Sequence, residues 1–67
     1  MENLKSFYSK LGRGEKTKFC MEVAETLDMS LEAVMRWCKG YGKTKDERAI
    51  KVLSEYSGIP VEMIFAK

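Results

Sequence analysis

Apolar residues recur at steps of three and four along most of this 67-residue chain, the spacing of one face of an α-helix. The first such set is Leu4, Phe7, Tyr8 and Leu11. Asn3 can cap this helix, and Gly12 can supply the left-handed residue that ends it. The pattern therefore predicts a first helix over residues 3–11, followed by a short loop over residues 12–14.

A second apolar stripe predicts helix two over residues 15–27, and its members are Phe19, Cys20, Val23, Ala24 and Leu27. Ser30 is a good cap for a third helix over residues 31–39, which ends at Gly40. Three residues of this helix share one side, namely Val34, Trp37 and Cys38.

Thr44 and Glu47 have the spacing of a capping box, and the helical set that follows is Ala49, Ile50, Leu53 and Tyr56. This fourth helix is expected to end at Gly58. Pro60 suits the first position of a last short helix, whose apolar residues are Val61, Met63, Ile64 and Phe65. Since no stretch alternates as a strand would, we expect an all-α bundle of about five helices in a single domain, residues 1–67.

The composition excludes several kinds of chemistry. The chain has no histidine, so an imidazole general base is excluded, and we expect no enzyme, metal site or cofactor. Cys20 and Cys38 lack the C-x-x-C spacing of zinc and thioredoxin-like sites. Without a signal peptide, two buried thiols are favoured over a disulfide bridge. No apolar run approaches the ~20 residues of a membrane span, so a cytoplasmic protein is expected.

The charges are segregated although the formal net charge is only +2. Basic blocks in residues 1–18 and 35–51 flank an acidic block in residues 19–34. A solvated surface of mixed charge would also give this pattern, so charge alone does not decide between a nucleic-acid partner and none.

Helices two and three have the residues of a steep two-helix corner. Such a corner needs a small residue where the backbones approach and apolar residues that seal the turn, and the chain supplies Ala24, Leu27, Met29, Val34 and Trp37. The segment AETLDMSLEAVMRWCKG, residues 24–40, resembles the helix-turn-helix of the phage-repressor, Cro-like family of DNA-binding domains. The five-helix layout, the turn at residues 57–60 and the Ile64-Phe65 ending are similar as well.

The resemblance implies that helix three lies in the major groove of double-stranded DNA. The positions it assigns to base reading are Ser30, Leu31, Glu32, Met35, Arg36 and Lys39. Arg36 is the first choice because it can bond guanine through two N–H groups, and Lys39 is the second. Glu32 can accept only from the amino group of cytosine, so it either sharpens specificity or opposes DNA entry.

Basic residues on both sides of helix three are candidates for phosphate contacts, and they are Lys16, Lys18, Lys43, Lys45 and Arg48. Two positions depart from the family pattern. Asp28 stands in the turn where glycine is usual, which an aspartate tolerates because it enters the left-handed region readily. Cys20 stands where glutamine is frequent, so one phosphate anchor is missing.

These patterns predict a small, non-enzymatic transcriptional regulator of the repressor type. The alternative is a protein-interaction module that keeps the fold without binding DNA. Exposure of Leu31, Glu32 and Met35 would favour that alternative. A homodimer is possible, because the tail at residues 63–65 could pack either into the core or, less favourably, against a second copy. The target sequence, the regulated process and any effector stay open.

Overall fold

The computed structural model describes residues 2–66, so Met1 and Lys67 of the predicted single domain lie outside the described residues. Within this range the chain is all-helical, as predicted, and has no strand. Its α-helices are α1 (Leu4–Ser9), α2 (Arg13–Leu27), α3 (Leu31–Lys39) and α4 (Glu47–Ser57). The predicted fifth helix is a single 3₁₀ turn, Val61–Met63, too short for an α-helical hydrogen-bond ladder.

Most of the predicted helix ends are confirmed. The side chain of Asn3 accepts a hydrogen bond from the Ser6 amide at 2.8 Å, and Ser30 Oγ accepts one from the Ala33 amide at 3.3 Å. Gly40 and Gly58 end α3 and α4 with φ of +85° and +78°. These angles lie in the left-handed region that residues with a Cβ avoid.

The prediction for Gly12 is wrong. Its φ is −69°, in extended backbone, and it is the residue that precedes α2. Helix α1 ends instead at Ser9, and its C-cap is Lys10, whose backbone is right-handed. Glycine is accepted at a helix N-cap as well as after a C-terminus, and here the first role applies. Arg13 and Gly14 therefore lie in the first turn of α2 rather than in a loop.

The predicted capping box of helix four is also wrong. Asp46 caps α4, and its carboxylate accepts a hydrogen bond from the Arg48 amide at 2.9 Å. Thr44 Oγ1 accepts from the Asp46 amide at 3.1 Å, which shapes the loop ahead of the helix. Aspartate and threonine are both good caps, and Asp46 stands directly before the first helical residue, Glu47. Pro60 likewise precedes the last turn rather than opening it.

Helix α3 packs against α1 and α2, and α4 packs against α1, α2 and the 3₁₀ turn. The largest fully buried side chains are Leu4, Val23, Val34, Leu53, Ile64 and the two cysteines, Cys20 and Cys38. Both thiols are free, as predicted. The tail packs into this core, since Ile64 is buried and its carbonyl accepts a hydrogen bond from the Leu4 amide at 2.9 Å.

Among residues 2–66, no helix has both the length and the apolar character needed to cross a membrane. Residues 2–66 also bring together no three Cys, Asp or Glu side chains that could hold a metal ion.

Candidate nucleic-acid interface

The connection between α2 and α3 is a tight turn at residues 28–30. Asp28 has φ of +55° and ψ of +49°, and it is the non-glycine residue with positive φ in the described part of the chain. The amide of Met29 donates to the Ala24 carbonyl at 2.9 Å, which closes the end of α2. Asp28 thus occupies the left-handed position expected of it, at the small cost that aspartate has there.

The inner side of this corner is apolar. Ala24, Leu27 and Val34 are buried, and Trp37 is half-buried against the same core. Met29 was expected to help seal the turn, but it is 37% exposed and lies at the margin of the corner. Met29 stands between the left-handed Asp28 and Ser30, the N-cap of α3.

The outer side of α3 carries the predicted base-reading residues. Met35 is half-buried against the core, and the exposed members of the set are Ser30, Leu31, Glu32, Arg36 and Lys39. Helical spacing places Glu32, Arg36 and Lys39 along one stripe, since residues three and four apart are neighbours on a helix. The buried Val34 and Cys38 hold the opposite side of α3 in the core.

The charges on α3 follow the helix dipole. Glu32 lies in the first turn, and Arg36 and Lys39 lie in the last turn, where acidic and basic groups respectively stabilise a helix. This gives Glu32 a local stabilising role that does not depend on any ligand. Within residues 2–66 the one ion pair joins Lys10 to Glu2 at 2.8 Å. The guanidinium of Arg36 is therefore not held by a carboxylate of the described chain.

The predicted phosphate-contact residues differ in their exposure and in the contacts that their charged groups already make. Lys18, Lys43 and Lys45 are exposed. Lys16 is half-buried, with its ammonium 5.4 Å from the centre of the Tyr8 ring. Arg48 is exposed, but its guanidinium donates to the backbone carbonyl of Thr26 at 3.4 Å, so it also ties α4 to the end of α2.

One exposed basic residue at the start of α2, Arg13, is not among the predicted phosphate contacts. Because α2 begins at Arg13, this exposed side chain joins Lys16 and Lys18 in the first two turns of the helix. The sequence signal for this position is Gly12, because a glycine that precedes α2 rather than ending α1 places Arg13 in the first turn of the helix.

An open groove of about 560 Å³ lies where the C-terminal end of α3 meets the two ends of the chain. Its side walls include three aromatic rings and two lysines, which are Trp37, Tyr41, Phe65, Lys5 and Lys43. The sequence did not predict this groove, because its walls come from three distant segments of the chain.

No protein-family model matches this chain, and no curated protein or solved structure matches it.

Proposed function

We propose that this protein binds double-stranded DNA sequence-specifically and acts as a small transcriptional regulator. In this proposal α2 and α3 form a helix-turn-helix of the phage-repressor, Cro-like type. The observation that supports it most is the division of α3 into two sides: Val34 and Cys38 are fully buried, whereas Arg36 and Lys39 are exposed. Because its opposite side is fixed in the core, α3 can present these cationic side chains to DNA while the core stays folded.

The major groove of B-DNA is about 12 Å wide and accepts an α-helix. In the proposed complex Arg36 donates two hydrogen bonds to O6 and N7 of a guanine, and Lys39 supports it one turn further along. Ser30 and Leu31, at the start of α3, would contact a phosphate or base and a thymine methyl group. Glu32 limits the sites to those that offer a cytosine amino group in its reach.

Six basic residues would contact the DNA backbone on both sides of α3. They are Arg13, Lys16, Lys18, Lys43, Lys45 and Arg48. A set of this size neutralises only a handful of phosphates, so one copy should bind weakly. We therefore propose that two copies act together on half-sites about one helical turn apart. The tail at residues 63–65 packs into the core, and so a dimer would have to use another surface.

The proposal is tested by selecting a preferred site from random duplexes and measuring affinity for that site and for scrambled DNA. Arg36→Ala should reduce the site preference by about 1–3 kcal/mol. Arg36→Lys keeps the positive charge but loses the two-bond geometry, so it should lose preference while keeping most of its affinity for scrambled DNA. Lys51→Ala, at an exposed position on α4, serves as the control and should leave the preference unchanged.

Circular dichroism should first show that the variants keep their helix content. An Arg36→Ala variant that remains folded and selects the same site with the same preference would refute the role given to Arg36. Absence of any preferred site for the original chain would refute the proposed function itself.

A second candidate is a protein-interaction module. Met29 and Leu31, on either side of Ser30, are each 37% exposed, and the half-buried Met35 is close to them in sequence. Clustered exposed apolar side chains mark partner surfaces, so this exposure favours the second candidate. A salt titration separates the two candidates. DNA affinity should fall steeply, with a logarithmic slope of about −0.9 for each phosphate contacted, whereas docking on apolar side chains should change little.

A further inference from the structure

The two thiols of the chain lie in contact inside the core. Cys20 is on α2 and Cys38 is on α3, and their sulfur atoms are 3.9 Å apart. Neither residue has any exposed surface. The contact therefore joins the two helices of the proposed DNA-binding corner at a point that the DNA-reading surface does not use.

The surroundings of the pair distinguish the two thiols. The hydrogen bond with Cys38 lowers the pKa of Cys20 to about 7, and the Tyr8 hydroxyl and the Lys39 charge act in the same direction, against the effect of burial. The same hydrogen bond, together with burial, raises the pKa of Cys38. Of the two thiols, Cys20 is therefore the one whose surroundings favour loss of the proton, and the thiolate is the nucleophilic form of cysteine.

We propose that Cys20 and Cys38 are a redox site, at which a hydroperoxide converts the pair of thiols into a reversible disulfide between α2 and α3. A disulfide has an S–S distance of about 2.05 Å, so the sulfurs must approach by about 1.9 Å from the separation seen here. The bridge therefore requires the two cysteine side chains to turn toward each other. This proposal does not depend on DNA binding.

With hydrogen peroxide as the hydroperoxide, the reaction balances at one peroxide molecule per pair of thiols. The Cys20 thiolate attacks one peroxide oxygen, the O–O bond breaks, and the departing hydroxide takes a proton to become water. The Cys38 sulfur then attacks the sulfur of the resulting Cys20 sulfenic acid. The S–S bond forms, the S–O bond breaks, and the Cys38 proton leaves with the hydroxide as a second water. Both sulfurs are oxidised, and a thiol reductant reverses the change.

Burial makes the reaction slow, because the peroxide reaches the pair only when the helices open locally. The expected consequence is a large stabilisation. The bridge would close a loop between positions 18 residues apart. A loop of this length is worth about 3 kcal/mol, which in a domain this small should raise the melting temperature by roughly 12–24 °C.

The experiment treats the reduced protein with hydrogen peroxide for several hours in native buffer, then blocks the remaining thiols with an alkylating agent under denaturing conditions. The expected product is a monomer lighter by two hydrogen atoms that takes up no alkyl group. Trypsin should release residues 19–36 linked to residues 37–39, since cleavage follows Lys18, Arg36 and Lys39. Dithiothreitol should separate these fragments and return the melting temperature to its original value.

Cys38→Ala is the matched variant, and it should form no such product and show no rise in melting temperature. If that variant does not fold, the reversible rise in melting temperature of the original chain still tests the proposal. Two alkylated thiols after peroxide treatment would overturn it, and so would disulfide-linked dimers or a bridged monomer with an unchanged melting temperature.

Discussion

Three glycines near helix ends differ in ways that separate backbone strain from side-chain crowding. Gly40 and Gly58 have φ of +85° and +78°, whereas Gly42 is outside the positive-φ set. A Cβ on Gly40 would lie 2.9 Å from Cδ of Lys5, but a Cβ on Gly42 or Gly58 would meet no atom within 4 Å. Gly42→Ala therefore meets neither effect, Gly58→Ala meets backbone strain alone, and Gly40→Ala meets both backbone strain and crowding.

The magnitudes follow from two opposing contributions. A left-handed backbone costs alanine about 1–2 kcal/mol, while alanine restricts the unfolded chain and so restores about 0.4–1 kcal/mol. Gly58→Ala should therefore lose about 1 kcal/mol of unfolding free energy, and Gly42→Ala should gain about 0.5 kcal/mol. Gly40→Ala should lose as much as Gly58→Ala, plus up to about 1 kcal/mol for displacing the flexible Lys5 side chain.

Urea denaturation followed by circular dichroism measures these differences, and in a domain this small each kcal/mol corresponds to roughly 4–8 °C of melting temperature. Adding Lys5→Ala to Gly40→Ala should remove the crowding and bring the loss near that of Gly58→Ala. Equal stability of Gly40→Ala and Gly42→Ala would contradict the backbone strain at Gly40, and an extra loss of Gly40→Ala that persists after Lys5→Ala would contradict the crowding by Lys5.

Two further predictions concern the core. Leu53→Ala removes a fully buried side chain and should lower the unfolding free energy in urea denaturation by about 2–5 kcal/mol, whereas Met21→Ala, at a 54% exposed position, should change it little. Equal stability of the two would contradict the packing described. Burial, aided by Cys20, raises the pKa of Tyr8 to about 12 from its ordinary value of 10. Because the folded chain holds the Tyr8 proton more tightly than the unfolded chain does, the raised pKa contributes unfolding free energy that is present below pH 10 and is lost as the pH rises toward 12. Tyr8→Phe lacks the titrating group, so over that range its unfolding free energy should fall by about 2–3 kcal/mol less than that of the original chain. Parallel losses in the two proteins would contradict the raised pKa.

Much of the fold was readable from the sequence because the decisive interactions are local. Ser30 and Gly40 set the ends of α3 through a side-chain cap and a left-handed residue, both of which act within one helical turn. Val34 and Cys38 were placed inside by helical spacing alone. The resemblance assigns Met35 and Arg36 to the outward side of α3; Arg36 is exposed, whereas Met35 is half-buried against the core.

The errors fall where two residues compete for one role, or where one residue fits two roles. Gly12 is acceptable both after α1, as a C-terminal glycine, and before α2, as the N-cap that it is. Thr44 and Asp46 can each cap α4, and the difference depends on where the loop from Gly40 meets the helix. The groove and the contact between the two sulfurs require the three-dimensional arrangement, since no local rule brings distant segments together.

The hydrogen bonds that join the two ends of the chain have a practical consequence. The Asn3 side chain donates to the Ala66 carbonyl, and Leu4 is bonded to Ile64, so residues near both ends lie side by side next to Trp37. A short peptide could therefore connect the ends, with new ends opened in the exposed stretch at residues 41–43. Because residues 3–5 and 64–66 line the groove beside the C-terminal end of α3, binding assays should use protein from which any purification tag has been removed.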